Sequence, residues 1–545
     1  MSDTKTKPTM PFDPFALART ATEYAWGLAA KPTELLEVQI DAARQWSDFW
    51  TGALTGRAGE KPRDRRFSAP EWQDDPYYRA IRDSYLLASD QLRTLVSKGS
   101  GDEQSSATAR FLLDQYLNAI SPTNFAATNP AVIKRVQETG GQNLVQGFSN
   151  LLEDISTGKG IVRRRTDPDV FVKGKTIAAT PGEVVFRNEL FELIQYSPST
   201  DNVAAEPLLY VPPLVNRYYM IDLQPKSSLV KWLVDQGRTV FVISWVNPGD
   251  AHRDKDVAAY VREGIVPAIE QVAKRSGKAP DLFAFCLGGT LVAIALAWLA
   301  ASNRGKEVNS ATLIGSMIDF ADMRDWSAFV HEAHIGALDD HLEAQGYADS
   351  AELQRLFAAM RANDLIWSSV VQHYLLDQPA PPSDLLTWFE DGARIPAAFL
   401  KSYNRELLLN NALKEPAGFN VGDVAIDLSA IETPVLSIAL KDDHVSAWEA
   451  VYDGARLLEA DFILGGSGHN AGVINPPAAN KHGYWMNDAT PESAQEWLES
   501  ATRHEGSWWP YWTEWLARHG SKKTVSAREI KDGLEPAPGS YVMMP

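Results

Sequence analysis

Asp281-Leu-Phe-Ala-Phe-Cys286-Leu-Gly-Gly-Thr290 decides the reading of this chain. An apolar strand runs into the protein's single cysteine, and a glycine pair opens a long apolar helix. This is the layout of a nucleophile elbow, the strained strand-to-helix turn written G-x-S-x-G in hydrolases, whose following amide points into an oxyanion hole. The box here reads Ala284-Phe-Cys286-Leu-Gly288, with alanine for the first glycine and cysteine for serine. Alanine is the smallest side chain after glycine, and a thiolate is the better nucleophile near neutral pH. A lone cysteine without such surroundings reads as a small buried hydrophobe.

Downstream, two acid–base residues stand at the carboxyl ends of predicted strands. Lys441-Asp442-Asp443-His444 follows the strand over 434–440, and Gly465-Gly-Ser-Gly468-His469 follows the strand over 461–464. Open α/β sheets build their sites along that edge, and nucleophile, acid, histidine is the chain order of α/β-hydrolases. Cys286, Asp443 and His469 are therefore the expected triad. Only one of the adjacent Asp442 and Asp443 can face His469, since neighbouring residues at a strand end point in opposite directions.

Around these residues, strand-like runs at 207–211, 239–244, 281–285, 311–314, 434–440 and 461–464 alternate with helical ones. The alternation predicts an α/β fold: a mostly parallel sheet covered by helices, entered by a hairpin at 184–194. Between 319 and 430 the pattern turns helical and aromatic, which predicts a cap inserted between two strands. Residues 1–180 read as a separate all-helical domain. Its first helix, from Thr33, carries an apolar stripe of Leu36, Ile40, Ala43 and Trp50 beside Leu35, Trp46 and Phe49. A second pattern passes through Ile81, Tyr85, Leu92 and Leu95, and further helices are expected at 109–120 and 143–155. Residues 56–70 and 98–106 read as linker and loop. The catalytic domain is expected over 181–545.

Composition excludes several classes. With 545 residues, 45% of them hydrophobic, the chain can bury a large core. A net charge of -18 opposes a nucleic-acid partner, because phosphate binding needs a basic surface. Arg163-Arg-Arg165 reads as a solvated face or a domain contact and not as an anion site. One cysteine permits no intrachain disulfide, residues 1–30 hold no signal core, and the longest apolar run, 291–301, falls short of a membrane span. A cytoplasmic protein with no membrane span is expected. There is no H-E-x-x-H pair, Walker loop or dinucleotide loop, so neither metal nor cofactor is expected.

The chain resembles the polyhydroxyalkanoate synthases, which polymerise hydroxyacyl-CoA thioesters into storage polyesters. The resemblance rests on Phe285-Cys286-Leu-Gly-Gly-Thr290, Pro212-Pro-Leu-Val-Asn216-Arg-Tyr-Tyr-Met-Ile-Asp222-Leu, Val242-Ile-Ser-Trp245-Val-Asn247-Pro, Asp443-His444 and Ser467-Gly-His469-Asn-Ala-Gly-Val-Ile-Asn475-Pro-Pro. Gly506-Ser-Trp508-Trp509-Pro-Tyr-Trp512 and Glu535-Pro-Ala-Pro-Gly-Ser-Tyr541 are similar to the single-chain class I enzymes, which favour 3-hydroxybutyryl-CoA. The departures are Ala284, Val246 and Asn470; none removes a triad member. The resemblance implies an acyl-Cys286 intermediate, His469 as general base, Asp443 as its supporting carboxylate, and CoA as leaving group with no cofactor. It also implies a homodimer and attachment to polyester granules. The amide of Leu287 and one from the Leu214-Val215 turn are the expected oxyanion donors, with Val215 the second. His444 and Asp222 match positions near the family's site, where a chemical and a packing role fit their spacing equally.

Two rival functions share these features. A cysteine-dependent hydrolase, of thioesterase or dienelactone hydrolase type, would use the same triad with water as acceptor, though it has no need of the helical first domain. A noncatalytic granule coat protein would use the amphipathic first helix, though it has no need of Cys286, Asp443 and His469.

Overall fold

The computed structural model describes residues 31–55, 64–99, 103–156, 169–378 and 382–545, with Tyr24 and Gly27 besides. Arg163-Arg-Arg165, residues 56–63 of the expected linker and most of residues 1–30 lie outside the described residues. The chain divides into two compact units, one of residues 1–167, 327–334 and 353–382, the other of residues 168–326, 335–352 and 383–545. Parts of the insertion thus group with the N-terminal helices and the remainder with the sheet.

The first unit is helical. Its elements include α1 (Pro32–Thr55), α2 (Pro76–Ser97), α3 (Glu103–Ala119), α4 (Pro130–Thr139) and α5 (Gln142–Ser156). Caps fix two of the starts: the Asp75 carboxylate accepts from Tyr77 N ahead of α2, and the Asn129 amide oxygen accepts from Ala131 N and Val132 N ahead of α4. The α1 stripe is corrected. Leu35, Val38, Ala42, Trp46 and Phe49 form its half-buried face, and Trp46 Nε1 donates to Gln91 Oε1 of α2 at 2.9 Å, whereas Leu36, Ile40 and Trp50 are exposed. A helix apolar over most of its girth buries one side against one partner. Residues 64–70 are no linker, since a short 3-10 turn capped by Asp64 buries Phe67 against Trp72, ring centroids 4.9 Å apart. The expected loop at 98–106 is overtaken by α3, which begins at Glu103.

α5 is inside out. Its buried residues are Asn143, Gly147, Asn150 and Asp154, while Val145, Phe148, Leu152 and Ile155 are each more than half exposed. The polar face is used within the unit: Asn143 Nδ2 donates to Leu375 O, Asn150 Nδ2 to His373 O, and Tyr374 Oη to Asp154 Oδ2 at 2.8 Å. A Cβ on Gly147 would stand 1.9 Å from Tyr374 O, so the helix sits flush on that backbone.

The second unit is built on a sheet of eleven strands among the described residues. In chain order they are β1 (Gly182–Arg187), β2 (Phe191–Tyr196), β3 (Leu208–Val211), β4 (Val240–Trp245), β5 (Asp281–Phe285), β6 (Ser310–Ile314), β7 (Val435–Leu440), β8 (Asp461–Gly465), β9 (Tyr484–Met486), β10 (Thr502–His504) and β11 (Glu535–Pro536). Their order in the sheet is β10-β9-β8-β7-β6-β5-β3-β4-β2-β1-β11. The six strands running from β8 to β4 in that order are parallel, and β1, β2, β9, β10 and β11 extend the sheet antiparallel. Strands β3, β5, β6 and β7 are buried at every residue, as strands covered on both faces must be. The helix after β5, α6 (Leu287–Ala301), is apolar all round and buries 12 of its 15 residues. A mostly parallel sheet with this helix leaving its central strand at a strained cysteine is the α/β-hydrolase fold. No helix among the described residues is long and apolar enough to cross a membrane.

Candidate active site

Cys286 ends β5 and begins α6 with φ 53° and ψ -129°, outside every region an L residue adopts readily. The turn is fixed from both sides. Cys286 N donates to Ile314 O at 2.8 Å, Gly289 N closes the first helical turn on Cys286 O at 2.9 Å, and Thr290 Oγ1 ties α6 to Met317 O at 2.8 Å. The glycine pair is a packing requirement. A Cβ on Gly288 would stand 2.4 Å from Val211 O, and one on Gly289 would stand 1.9 Å from Ser316 Oγ. The thiol is half-buried. Leu287 occupies the first helical position, where a backbone N–H has no acceptor within the helix and faces whatever lies before it.

Asp443 and His469 are brought together with Cys286. His469 Nδ1 and Asp443 Oδ2 are 2.6 Å apart, while Asp443 Oδ1 accepts from Val445 N at 2.7 Å and Ser446 N at 2.9 Å. The Asp443 side chain is wholly buried, and Asp442 is exposed. With Nδ1 held by the carboxylate, Nε2 is the nitrogen left for the hydrogen bond to the Cys286 sulfur. Burial opposes charge on His469, but the Asp443 carboxylate and the Cys286 sulfur outweigh it, and the imidazole is pushed up to about 10. Thiol, imidazole and carboxylate in series can move a proton from sulfur to nitrogen and hold it there.

The loop carrying His469 is braced from behind by tryptophans. Trp508 and Trp509, both fully buried, donate their indole N–H to Gly472 O at 2.9 Å and Val473 O at 3.0 Å. They stand at the head of α7 (Trp509–His519), where Trp512 reaches Thr312 Oγ1 and Trp515 reaches Asp461 Oδ2. The four tryptophans therefore pin the middle of β6, the start of β8 and the histidine loop together. Phe285 lies against the His469 ring, centroids 4.6 Å apart. Gly315, at φ 55°, leaves 3.4 Å between its Cβ position and Asp443 Oδ2.

Two buried tyrosines feel the charge of the sulfur, and sequence reasoning missed both. Burial raises the phenols of Tyr210 on β3 and Tyr403 in the insertion far above their ordinary range, and the Cys286 charge raises them further. Both remain neutral hydroxyls. Tyr403 stacks on Phe399, centroids 6.1 Å apart. No short motif marks either residue, because each comes from a different part of the chain.

The remaining expected residues are placed as follows. Val215 lies half-buried in the loop after β3, beside the backbone of Val211 and Pro212 against which Gly288 packs. The His444 and His469 rings are 6.5 Å apart and edge-on. Asp222 is buried elsewhere: it accepts from Thr180 Oγ1 at 2.5 Å and Ser228 Oγ at 2.6 Å, and its carbonyl accepts from Ala178 N. Burial raises its carboxyl above the ordinary range against those bonds. Its contacts tie the segment before β1 to a helix start and do not include the triad.

Residues 63–233 match the family model described as poly-beta-hydroxybutyrate polymerase (PhaC) N-terminus. The chain is 39% identical to the poly(3-hydroxyalkanoate) polymerase of Methylorubrum extorquens, over 97% of this chain and 90% of that one. It is 40% identical to poly(3-hydroxyalkanoate) polymerase subunit PhaC of Cupriavidus necator, over 95% and 89%. Among solved structures, the thioesterase domain from the curacin biosynthetic pathway is 12% identical with a TM-score of 0.33, covering 55% of this chain and 96% of that one. The Paleococcus ferrophilus monoacylglycerol lipase is 14% identical with a TM-score of 0.33, covering 61% and 99%. On the identity and length of the matched polymerases, this chain belongs to the poly(3-hydroxyalkanoate) polymerase family of acyltransferases.

Proposed function

We propose that this chain polymerises (R)-3-hydroxyacyl-CoA, with 3-hydroxybutyryl-CoA as its monomer, through a thioester on Cys286. The observation that carries the reading is the series Cys286, His469, Asp443 assembled at a strained elbow. His469 Nε2 takes the thiol proton, Cys286 Sγ attacks the thioester carbonyl, and CoA leaves, reprotonated by the imidazolium. The Leu287 amide, with Val215 as second donor, holds the oxyanion. Exchange of one thioester for another is close to balanced, so the acyl group stays transferable. His469 then accepts the proton of a monomer's 3-hydroxyl, and that oxygen takes the acyl chain from sulfur. The lengthened chain, carried on CoA, re-acylates Cys286 and releases one CoA per monomer added.

The acceptor must be the hydroxyl and not water, which gives the insertion its part. Tyr403, a buried residue of the insertion, feels the charge of the sulfur, and residues 383–430 keep water from the acyl-enzyme. The unused apolar faces of α5 and α1 suit attachment to the polyester, whose backbone presents apolar carbon and ester oxygen to such a surface. The enzyme acts as a homodimer on cytoplasmic granules, and no cofactor takes part. The test is CoA release with 3-hydroxybutyryl-CoA compared with 3-hydroxyoctanoyl-CoA, with product recovered as polymer or free acid and Cys286 acylation read by mass spectrometry. Polymer and acyl-Cys286 from the shorter substrate are expected; free acid alone would make the chain a hydrolase.

A further inference from the structure

The loop between β3 and the short helix at Tyr218–Asp222 carries Val215 and is fixed by residues distant in the chain. Trp245 Nε1 of β4 donates to Pro212 O at 3.0 Å at the start of the loop, and Asn216 near its end is held at φ 64°. An asparagine in that left-handed region costs little, but it leaves the loop without a strand or helix to define it. What defines the far end is Arg217. Its carbonyl accepts from Trp388 Nε1 at 2.7 Å, and its guanidinium donates to Met544 O at 2.6 Å and Tyr541 O at 3.3 Å.

This guanidinium sits in an unfavourable setting. The side chain is 4% exposed, its nearest carboxylate, Asp391 Oδ1, stands 3.8 Å away, and Nε makes no hydrogen bond. Burial accordingly pulls its pKa below the ordinary arginine range, though the group stays charged. A buried cation held by carbonyls and a distant carboxylate is a weak stabilising contact, since an apolar side chain of similar volume would serve the fold as well or better. What it gains is reach: one planar fork joins the loop after β3 to the C-terminal segment and to the insertion. Asp391 extends the joint, accepting from Tyr219 Oη at 2.8 Å and Lys173 Nζ at 2.9 Å, and Lys173 also donates to Val542 O.

We infer that Arg217 is a positioning residue of acyl transfer, holding the 212–217 loop, and with it the Val215 amide, against the 541–544 backbone and Trp388. This rests on the acyl-Cys286 reading proposed above. It makes the segment around Trp388 and Asp391 a sensor: the oxyanion donor is in register only while that part of the insertion is seated.

The test uses the full chain with Arg217→Met, Arg217→Lys and Trp388→Phe, the last removing one N–H while keeping an aromatic ring. Losing the register of one oxyanion donor lowers kcat by about 10²-fold. Arg217→Met is expected to lower kcat by that order with KM for 3-hydroxybutyryl-CoA within about threefold of wild type, and Trp388→Phe to do the same more weakly. Arg217→Lys, which keeps a buried cation and one donor to Met544 O, is expected to recover part of kcat. Two results overturn the inference: kcat unchanged in Arg217→Met, or kcat lost only in proportion to the unfolded fraction with nothing recovered by lysine. A wild type that forms no acyl-Cys286 overturns the parent reading instead, which separates the two failures.

Discussion

Replacing Asp443 by Asn preserves shape and should nonetheless disable elongation, for a reason visible in the hydrogen bonds. Oδ1 accepts from two backbone amides, Val445 N and Ser446 N. The side-chain amide introduced by Asp443→Asn must keep its oxygen there, since turning its NH2 toward two N–H donors would leave three buried donors facing one another. Its NH2 therefore faces His469 Nδ1 and donates to it. The proton then has to sit on Nε2, the nitrogen that should accept from sulfur and later from the monomer hydroxyl. The charge that supports imidazolium is lost at the same step. In serine triads the equivalent change lowers turnover by about 10⁴. A thiol gives up its proton more easily than a hydroxyl, so acylation should suffer less than attack by the monomer's hydroxyl. We expect elongation to fall by about 10² or more, roughly 3 kcal/mol of transition-state stabilisation, while some acyl-Cys286 still forms. Asp442→Asn, an exposed neighbour, should stay within a few-fold of wild type. CoA release and intact-protein mass spectrometry on both variants decide the matter. Equal effects at the two positions, or a larger one at Asp442, would refute the reasoning.

Further expectations follow from the same contacts. Because the His469 pKa is raised above its unfolded value near 6.5 to about 10, its ion-pair stabilisation is fully present below pH 6.5 and is lost as pH rises through about 10. Chemical denaturation of the wild type should show that alkaline limb and Asp443→Asn should lack most of it. Trp508→Phe removes the donor to Gly472 O and should cost about 1–3 kcal/mol, with kcat falling more than KM rises as the histidine loop loosens; an unchanged kcat would make Trp508 packing alone. Gly288→Ala, forced 2.4 Å from a backbone oxygen, should lower the melting temperature and abolish most CoA release. Val145, Phe148 and Leu152 changed together to Glu should leave turnover of dissolved substrate within a few-fold but release the protein from polyester granules in a sedimentation assay.

Much of this was legible in the sequence because the catalytic half of the chain is locally consistent. Six apolar runs bounded by turn residues predicted the parallel strands to within a residue at most ends, and the elbow and the two post-strand loops named the residues that meet at Cys286. The hidden elements are those that only tertiary pairing defines. β9, β10 and β11 are two or three residues long, and nothing in Tyr484-Trp-Met486 distinguishes it from a loop until β8 supplies a partner. The face of α1 could not be chosen by period, since both of its sides are apolar. α5 defeats the usual inference altogether, its buried side being asparagines that hydrogen-bond a backbone more than 220 residues away, a glycine that lies flush on it and an aspartate that accepts from the Tyr374 hydroxyl. Arg217, Tyr403 and the bracing by Trp508 were equally out of reach, because the partners that give them meaning are distant in the chain.

The strained elbow has one more consequence. Cys286 is held at φ 53° against its own preference, a conformation worth on the order of 1–3 kcal/mol that the surrounding sheet and α6 must supply. A spring of that kind relaxes locally before the structure around it yields. As denaturant or temperature rises, there should be a window in which the tryptophan core is intact but the turn has slipped back to negative φ and carried the sulfur out of line with His469. Activity would then disappear ahead of fluorescence, in a folded and silent population. The limit on how long such a catalyst works would be set at this one residue and not by the global stability of its fold.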